Sequence, residues 1–102
     1  MSEVAADAAY AADVMPLVRE ASDEWLATWR ASLARDGRVM EGGWPGTRAE
    51  ARALVLGRIG PALTRRGLPF PNAERAARAA RDLYTSARKA WLAEAIPERA
   101  GT

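Results

Sequence analysis

The chain contains no histidine and no cysteine among its 102 residues. Histidine is the commonest general base in enzymes, and the cysteine thiolate is a strongly nucleophilic side chain. Their absence excludes Ser–His and Cys–His catalysis. It also argues against zinc, haem and iron–sulfur sites, which these two residues ordinarily hold. We therefore expect a protein that is not an enzyme and that binds no metal or other cofactor.

Long apolar runs are also missing. No stretch approaches the roughly 20 apolar residues that a membrane-spanning helix needs. Residues 1–10 carry Glu3 and Asp7 and lack the basic start and apolar run of a secretory signal. We expect no membrane contact and a cytoplasmic location. Lysine is nearly absent as well, since Lys89 is the single lysine among 15 basic residues. Together with the abundant alanine, this bias suggests a bacterial source with GC-rich coding.

No segment shows the sustained alternation of β-branched residues that strands require. The sequence instead predicts an all-α fold in a single domain, residues 1–102, built as a small bundle of three main helices. Their expected ranges are about 13–36, 47–66 and 72–96. Residues 1–12 are expected to form either a short extra N-terminal helix or a loosely ordered extension. Residues 98–102 are expected to be loosely ordered.

Local signals predict where these helices begin and end. Asp13 is a candidate N-cap of the first helix, and Asn72 of the third. The segment Thr47-Arg48-Ala49-Glu50 has the pattern of a capping box. Gly60-Pro61 should kink the second helix or divide it, because a proline ring clashes with the preceding turn. Pro97 should end the third helix.

Each predicted helix carries one apolar face at three- and four-residue steps. The first face comprises Val14, Val18, Ala21, Trp25, Trp29 and Leu33. The second comprises Ala51, Val55, Ile59, Ala62 and Leu63. The third comprises Ala73, Ala76, Ala77, Ala80, Leu83, Tyr84, Ala87 and Trp91. Because alanine buries little area, the core is thin, and a homodimer or other self-association is expected.

The loop between the first two helices holds a tryptophan between glycines and a proline, in Gly42-Gly43-Trp44-Pro45-Gly46. Tryptophan is favoured at binding hot spots. We therefore expect Val39, Met40 and Trp44 to form an exposed apolar anchor for a protein partner or a second copy of the chain. The alternative is that Trp44 folds back and closes the end of the bundle. On this basis the chain is interpreted as a small, non-enzymatic, helical interaction or regulatory protein.

The charge distribution supports a second interpretation, a nucleic-acid-binding regulator. Residues 1–46 hold four basic and eight acidic groups, whereas residues 47–102 hold eleven basic and five acidic groups. The basic half could contact phosphates. Its candidate residues are Arg65, Arg66, Arg75, Arg78, Arg81, Arg88 and Lys89. The alternative is that the two halves pack together and their opposite charges partly neutralise each other.

The segment Ala53–Arg66 also loosely resembles a helix-turn-helix. An Ala-x-x-x-Gly step is followed six positions later by the apolar Leu63 and then by two arginines. Arg58 departs from this pattern, because an apolar residue normally packs just after the turn glycine. The prolines that follow would also leave a recognition helix of barely two turns.

Overall fold

The computed structural model describes the backbone of residues 3–35 and 43–100, and the side chains of residues 5–35 and 43–93. Within these ranges the protein is helical and contains no strand, which confirms the predicted all-α bundle. The first helical run consists of α1 (Glu3–Ala9), a first π turn (Tyr10–Val14) and α2 (Met15–Arg35). The second run consists of α3 (Arg48–Leu54), a second π turn (Val55–Ile59) and α4 (Gly60–Arg65). The third run is α5 (Ala73–Ala100).

Each π turn ends two residues before a proline, Pro16 or Pro61. In both runs the residue before the proline donates its N–H to the carbonyl five positions earlier. These bonds join Met15 to Tyr10 and Gly60 to Val55. A proline ring clashes with the carbonyl four residues before it, and the wider π turn gives that carbonyl room. The predicted interruption at Gly60-Pro61 is thus a π turn inside a continuous right-handed helix.

The second run begins and ends with well-formed caps. The Thr47 hydroxyl accepts the Glu50 N–H at 3.1 Å, and Glu50 Oε1 accepts the Thr47 N–H at 3.0 Å. This confirms the predicted capping box. After α4, Gly67 has a φ of 73°. Its N–H reaches the Thr64 carbonyl, while the Leu68 N–H reaches that of Leu63, which is a Schellman motif.

The core lies where α5 packs against α2 and α3. The predicted apolar faces of the first two runs are confirmed, with Trp29, Leu33 and Ala62 half-buried at their edges. The fully buried side chains on α5 are Ala79, Leu83, Ala87 and Trp91. Ala79 was not in the predicted face, whereas Ala73 and Ala77 were predicted to be core and are exposed. The buried face of α5 is therefore rotated about the helix axis relative to the predicted face, so that Ala79 is buried while Ala73 and Ala77 are exposed.

The expected extra N-terminal helix is present as α1, which continues through the first π turn into α2, and Tyr10 is buried. Two expectations about helix ends are wrong. Asp13 lies inside that π turn and caps no helix. Pro97 does not end α5, which continues to Ala100. A proline removes one backbone donor and crowds the turn before it, but the residues after it can still adopt helical φ and ψ angles. Asn72 does act as a cap, since its Oδ1 accepts the Arg75 N–H at 2.9 Å.

Candidate interaction groove

The Trp44 side chain packs inward. Its ring lies edge-to-face between Trp25, with centroids 5.0 Å apart, and Trp91, with centroids 5.6 Å apart. Edge-to-face aromatic pairs at such distances are stabilising beyond their buried area. Gly46 is itself buried, and a Cβ at this position would overlap the Trp44 ring. Trp44 is half-buried against the core, so the structure agrees with the alternative in which the indole folds back and not with an exposed anchor. Val39 and Met40 lie outside the described residues.

The two halves of opposite charge meet through ion pairs. Arg58 of the second π turn pairs with Glu24 of α2 and lies 3.8 Å from Glu20. Arg78 of α5 pairs with Asp7 of α1 at 2.9 Å. For these residues, the contacts support the interpretation that the opposite charges of the two halves partly neutralise each other. They are solvent-exposed, so each contributes little to the free energy of unfolding.

The candidate nucleic-acid residues on α5 differ in their surroundings. Arg75 and Arg78 lie against the first helical run, where their guanidinium carbons lie 5.6 and 4.0 Å from the centroid of the Tyr10 ring. Arg81 and Arg88 are exposed. Lys89 is exposed beside Arg88, and Arg65 and Arg66 are exposed at the end of α4.

The structure also contradicts the helix-turn-helix resemblance. The backbone is helical without a break from Arg48 to Arg65, and Leu54, Ile59 and Gly60 have right-handed φ and ψ angles. Gly57, which would have opened the turn between two helices, lies within the second π turn. There is thus no separate recognition helix in this segment to enter a major groove.

A groove runs between the second helical run and α5, and we call it the arginine groove. Its longer part is a cavity of about 460 Å³ whose floor is apolar. That floor consists of Val55, Leu56, Ala73, Ala76, Ala77 and Ala80. A neighbouring cleft of about 190 Å³ shares Arg48 and Ala80 with it and adds Arg81, Tyr84 and Thr85. Leu56 is 59% exposed, the more exposed of the two large apolar side chains on the described surface.

Arginines line the rim of this groove. Arg48 and Arg52 lie one turn apart on the second run, and Arg81 lies across from them on α5. None of the three forms an ion pair with a carboxylate in the described part of the chain. The Arg48 guanidinium lies 5.3 Å from the Tyr84 ring centroid, which holds this side chain over the cleft. The groove thus combines an apolar floor with an uncompensated positive rim.

Sequence reasoning missed Arg48, Arg52 and Leu56 as surface residues of interest. The signal was present for the arginines, because residues four apart share one helix face. Leu56 lies off the apolar face of its helix, and a large apolar residue outside that face is itself a surface signal. Predicting the groove also required knowing the rotation of α5 that leaves Ala73 and Ala77 exposed. No local sequence pattern indicated that rotation.

In the described ranges no helix is both long and apolar enough to cross a membrane, and no group of three or more acidic side chains could hold a metal ion. What the arrangement offers chemically is a concave apolar surface with cationic edges. Comparison with models of protein families, with curated proteins and with solved structures finds no match for this chain.

Proposed function

We propose that this protein is a non-enzymatic helical interaction module, and that the arginine groove binds an acidic amphipathic helix of a partner protein. The supporting observation is the conjunction of the exposed Leu56 and alanine floor with the unpaired Arg48, Arg52 and Arg81. A cytoplasmic location and a bacterial source remain expectations from the sequence.

The small floor residues favour a helix as the bound element. The side chains of Ala73 and Ala77 are single methyl groups, so the backbone of a partner can approach α5 closely. A helix laid in a groove buries anchors spaced at three and four residues, and Leu56 offers such anchors an apolar contact. Carboxylates flanking those anchors would meet the arginine rim and steer the encounter.

The same charges argue against a second copy of the chain in the groove. A two-fold symmetric dimer places a surface patch against itself. Such pairing would bring the rims of Arg48, Arg52 and Arg81 together, and like charges repel. The carboxylates of Asp7 and Glu24 are already paired with Arg78 and Arg58 within the chain. A partner that supplies its own carboxylates avoids both difficulties.

The test uses a fluorescein-labelled amphipathic peptide of about five helical turns, with a leucine seam flanked by glutamates. We expect anisotropy to show micromolar binding that a scrambled peptide of equal composition lacks. The double variant Arg48→Glu/Arg52→Glu should weaken binding at least tenfold. Its control, Arg65→Glu/Arg66→Glu, changes the net charge equally but lies at the end of α4. Equal losses in both variants, or no binding by the wild type, would contradict the proposal.

Two further measurements identify the competing occupants. A dimer mass in light scattering that Leu56→Asp converts to a monomer would place a second copy in the groove. Binding of mixed-sequence duplex DNA at about 50 mM salt, lost at about 200 mM and abolished by the Arg65/Arg66 variant, would favour the nucleic-acid regulator. Either result would overturn the proposed acidic partner. Leu68→Asp is the matched control for Leu56→Asp, because Leu68 is 45% exposed elsewhere on the surface.

A further inference from the structure

A second concave site lies on a different side of the molecule, between the first π turn and the connection from α4 to α5. Its cavity of about 220 Å³ is lined mostly by apolar side chains. Tyr10 and Val14 form one wall, and Leu63, Leu68 and Phe70 form the other. The prolines on either side of Phe70 hold this connection extended, because they forbid helix there. We call this cavity the proline pocket.

One cationic side chain lines the pocket, that of Arg75, and it forms no ion pair with a carboxylate in the described part of the chain. Its Nη1 atom is buried away from solvent and has no hydrogen-bond partner in the described structure. A guanidinium carries five N–H donors, so the others remain for an acceptor in the pocket. The nearby Tyr10 hydroxyl cannot serve as a donor to a ligand, because it donates to Asp82 Oδ2 at 2.6 Å. Arg75 is therefore the group in this pocket whose chemistry calls for an acceptor.

Asp13 is the one carboxylate in the pocket lining, and it forms no ion pair with Arg75. Its negative charge disfavours a ligand that would place a second anion at that edge. The apolar walls can contact the apolar part of a ligand, and Arg75 can bind one carboxylate. The negative charge of Asp13 disfavours a second carboxylate on the same ligand. A cavity of roughly 150 Å³ suffices for benzene, so this one has space for an aromatic ring with a short acidic arm.

From these features we propose that the proline pocket binds a small apolar monocarboxylic acid, whose carboxylate accepts hydrogen bonds from the Arg75 guanidinium. This inference is independent of the arginine groove, because the two sites share no residue. Charge-assisted hydrogen bonds from a guanidinium are stronger than neutral ones, so a carboxylate gains more here than an alcohol of the same shape.

The probe is 3-phenylpropanoate, titrated into the isotope-labelled full chain and followed by amide chemical shifts. Ligands of about ten non-hydrogen atoms rarely bind better than the micromolar range, and we expect a Kd of about 1 mM or below. Shifts should concentrate at residues 9–14 and 63–75. The neutral isostere 3-phenylpropan-1-ol should bind at least tenfold more weakly. Equal affinity of acid and alcohol would overturn the role of the guanidinium.

Two variants separate the roles of the charged groups. Arg75→Met keeps the apolar stem and should weaken acid binding at least tenfold while leaving the alcohol unchanged. Arg66→Met, at an exposed position outside the pocket, is its control and should change neither. The dicarboxylate 4-(2-carboxyethyl)benzoate should bind more weakly than the probe, and Asp13→Asn should remove that difference. Unchanged acid binding in Arg75→Met, or shifts spread over the arginine groove, would contradict the proposal. The acid-to-alcohol ratio of the wild type decides the question if Arg75→Met fails to fold.

Discussion

The Tyr10 hydroxyl on the first π turn donates a hydrogen bond of 2.6 Å to Asp82 of α5, across 72 positions of sequence. Tyr10 is 3% exposed, and Arg78 lies over its ring while also approaching Asp82 at 3.9 Å. This contact attaches the N-terminal segment to the bundle. Asp82 interrupts the basic series on α5, and its bond to Tyr10 gives that interruption a structural role.

Removing this hydroxyl should destabilise the fold. We expect Tyr10→Phe to lower the free energy of unfolding by about 1.5–3 kcal/mol, since hydrogen bonds to charged acceptors contribute that much. The measurement is urea denaturation followed by circular dichroism. A double-mutant cycle with Asp82→Asn isolates the pair. If the two single losses simply add, the hydroxyl and the carboxylate do not interact in solution.

The same bond predicts a loss of stability at alkaline pH. Burial, followed by the hydrogen bond and the negative charge of Asp82, raises the pKa of Tyr10 well above its usual value near 10. Above pH 10 the unfolded chain loses this proton while the folded chain retains it. Stability is therefore complete below pH 10 and falls above it by about 1.4 kcal/mol per pH unit. The wild type should show this additional decline relative to Tyr10→Phe between pH 9 and 11, since both proteins retain Tyr84. Parallel pH profiles would show that Tyr10 titrates normally.

The tryptophan cluster predicts that the loop residue is structural. We expect Trp44→Ala to cost about 3 kcal/mol, as truncation of a packed aromatic does. Gly46→Ala should also be destabilising, because the new methyl group would displace the Trp44 ring and approach Trp25 to 2.8 Å. Both variants should lose near-ultraviolet circular dichroism from the indoles. Leu56→Ala is the control, and we expect a change below about 0.5 kcal/mol at this exposed position. If the Trp44→Ala protein has unchanged stability, the interpretation of Trp44 as an exposed anchor would be supported instead.

Two glycines should respond to alanine with opposite signs. Gly67 has a φ of 73°, where an L-residue is strained, so Gly67→Ala should cost about 1–2 kcal/mol. Gly57 lies in a helix without a positive φ, and a Cβ there would meet open space. Gly57→Ala should therefore add about 0.5–1 kcal/mol to the free energy of unfolding. Thermal denaturation of both variants tests the pair, and a shared sign would contradict the assigned backbone conformations.

Much of the fold was predictable because its signals are local. The capping box at Thr47, the cap at Asn72 and the apolar faces of the first two runs each depend on a few neighbouring residues. Two features depend on long-range packing. The rotation of α5 that exposes Ala73 and Ala77 was missed, and for Trp44 the sequence left the exposed and the inward positions as alternatives. The arginine groove follows from that rotation. The sequence could have indicated that the arginines of this groove are exposed, but it could not show that they lie together around it.

The π turns before Pro16 and Pro61 were also missed, although the sequence carries a trace of the second one. Ala51, Val55, Ile59 and Leu63 are all buried at strict four-residue steps. In an α-helix each such step passes one full turn by about 40°, so three steps would rotate the face by about 120°. All four face the core because the wider π turn absorbs this rotation. Strict four-residue spacing before a proline was the available signal.

Each π turn makes its helical run the equivalent of an α-helix that has gained one residue. Without Gly57, the buried positions of the second run would fall at intervals of four, three and four, which is the usual spacing of an α-helical face. Deleting Gly57 together with Pro61→Ala should thus preserve the orientation of Ile59 and Leu63 toward α5. Deleting Ala53, outside the π turn, would instead turn them by about 100°. Each proline therefore belongs with the extra residue of its π turn, and between its first and last buried positions a run can lose one residue without repacking the core only at that turn.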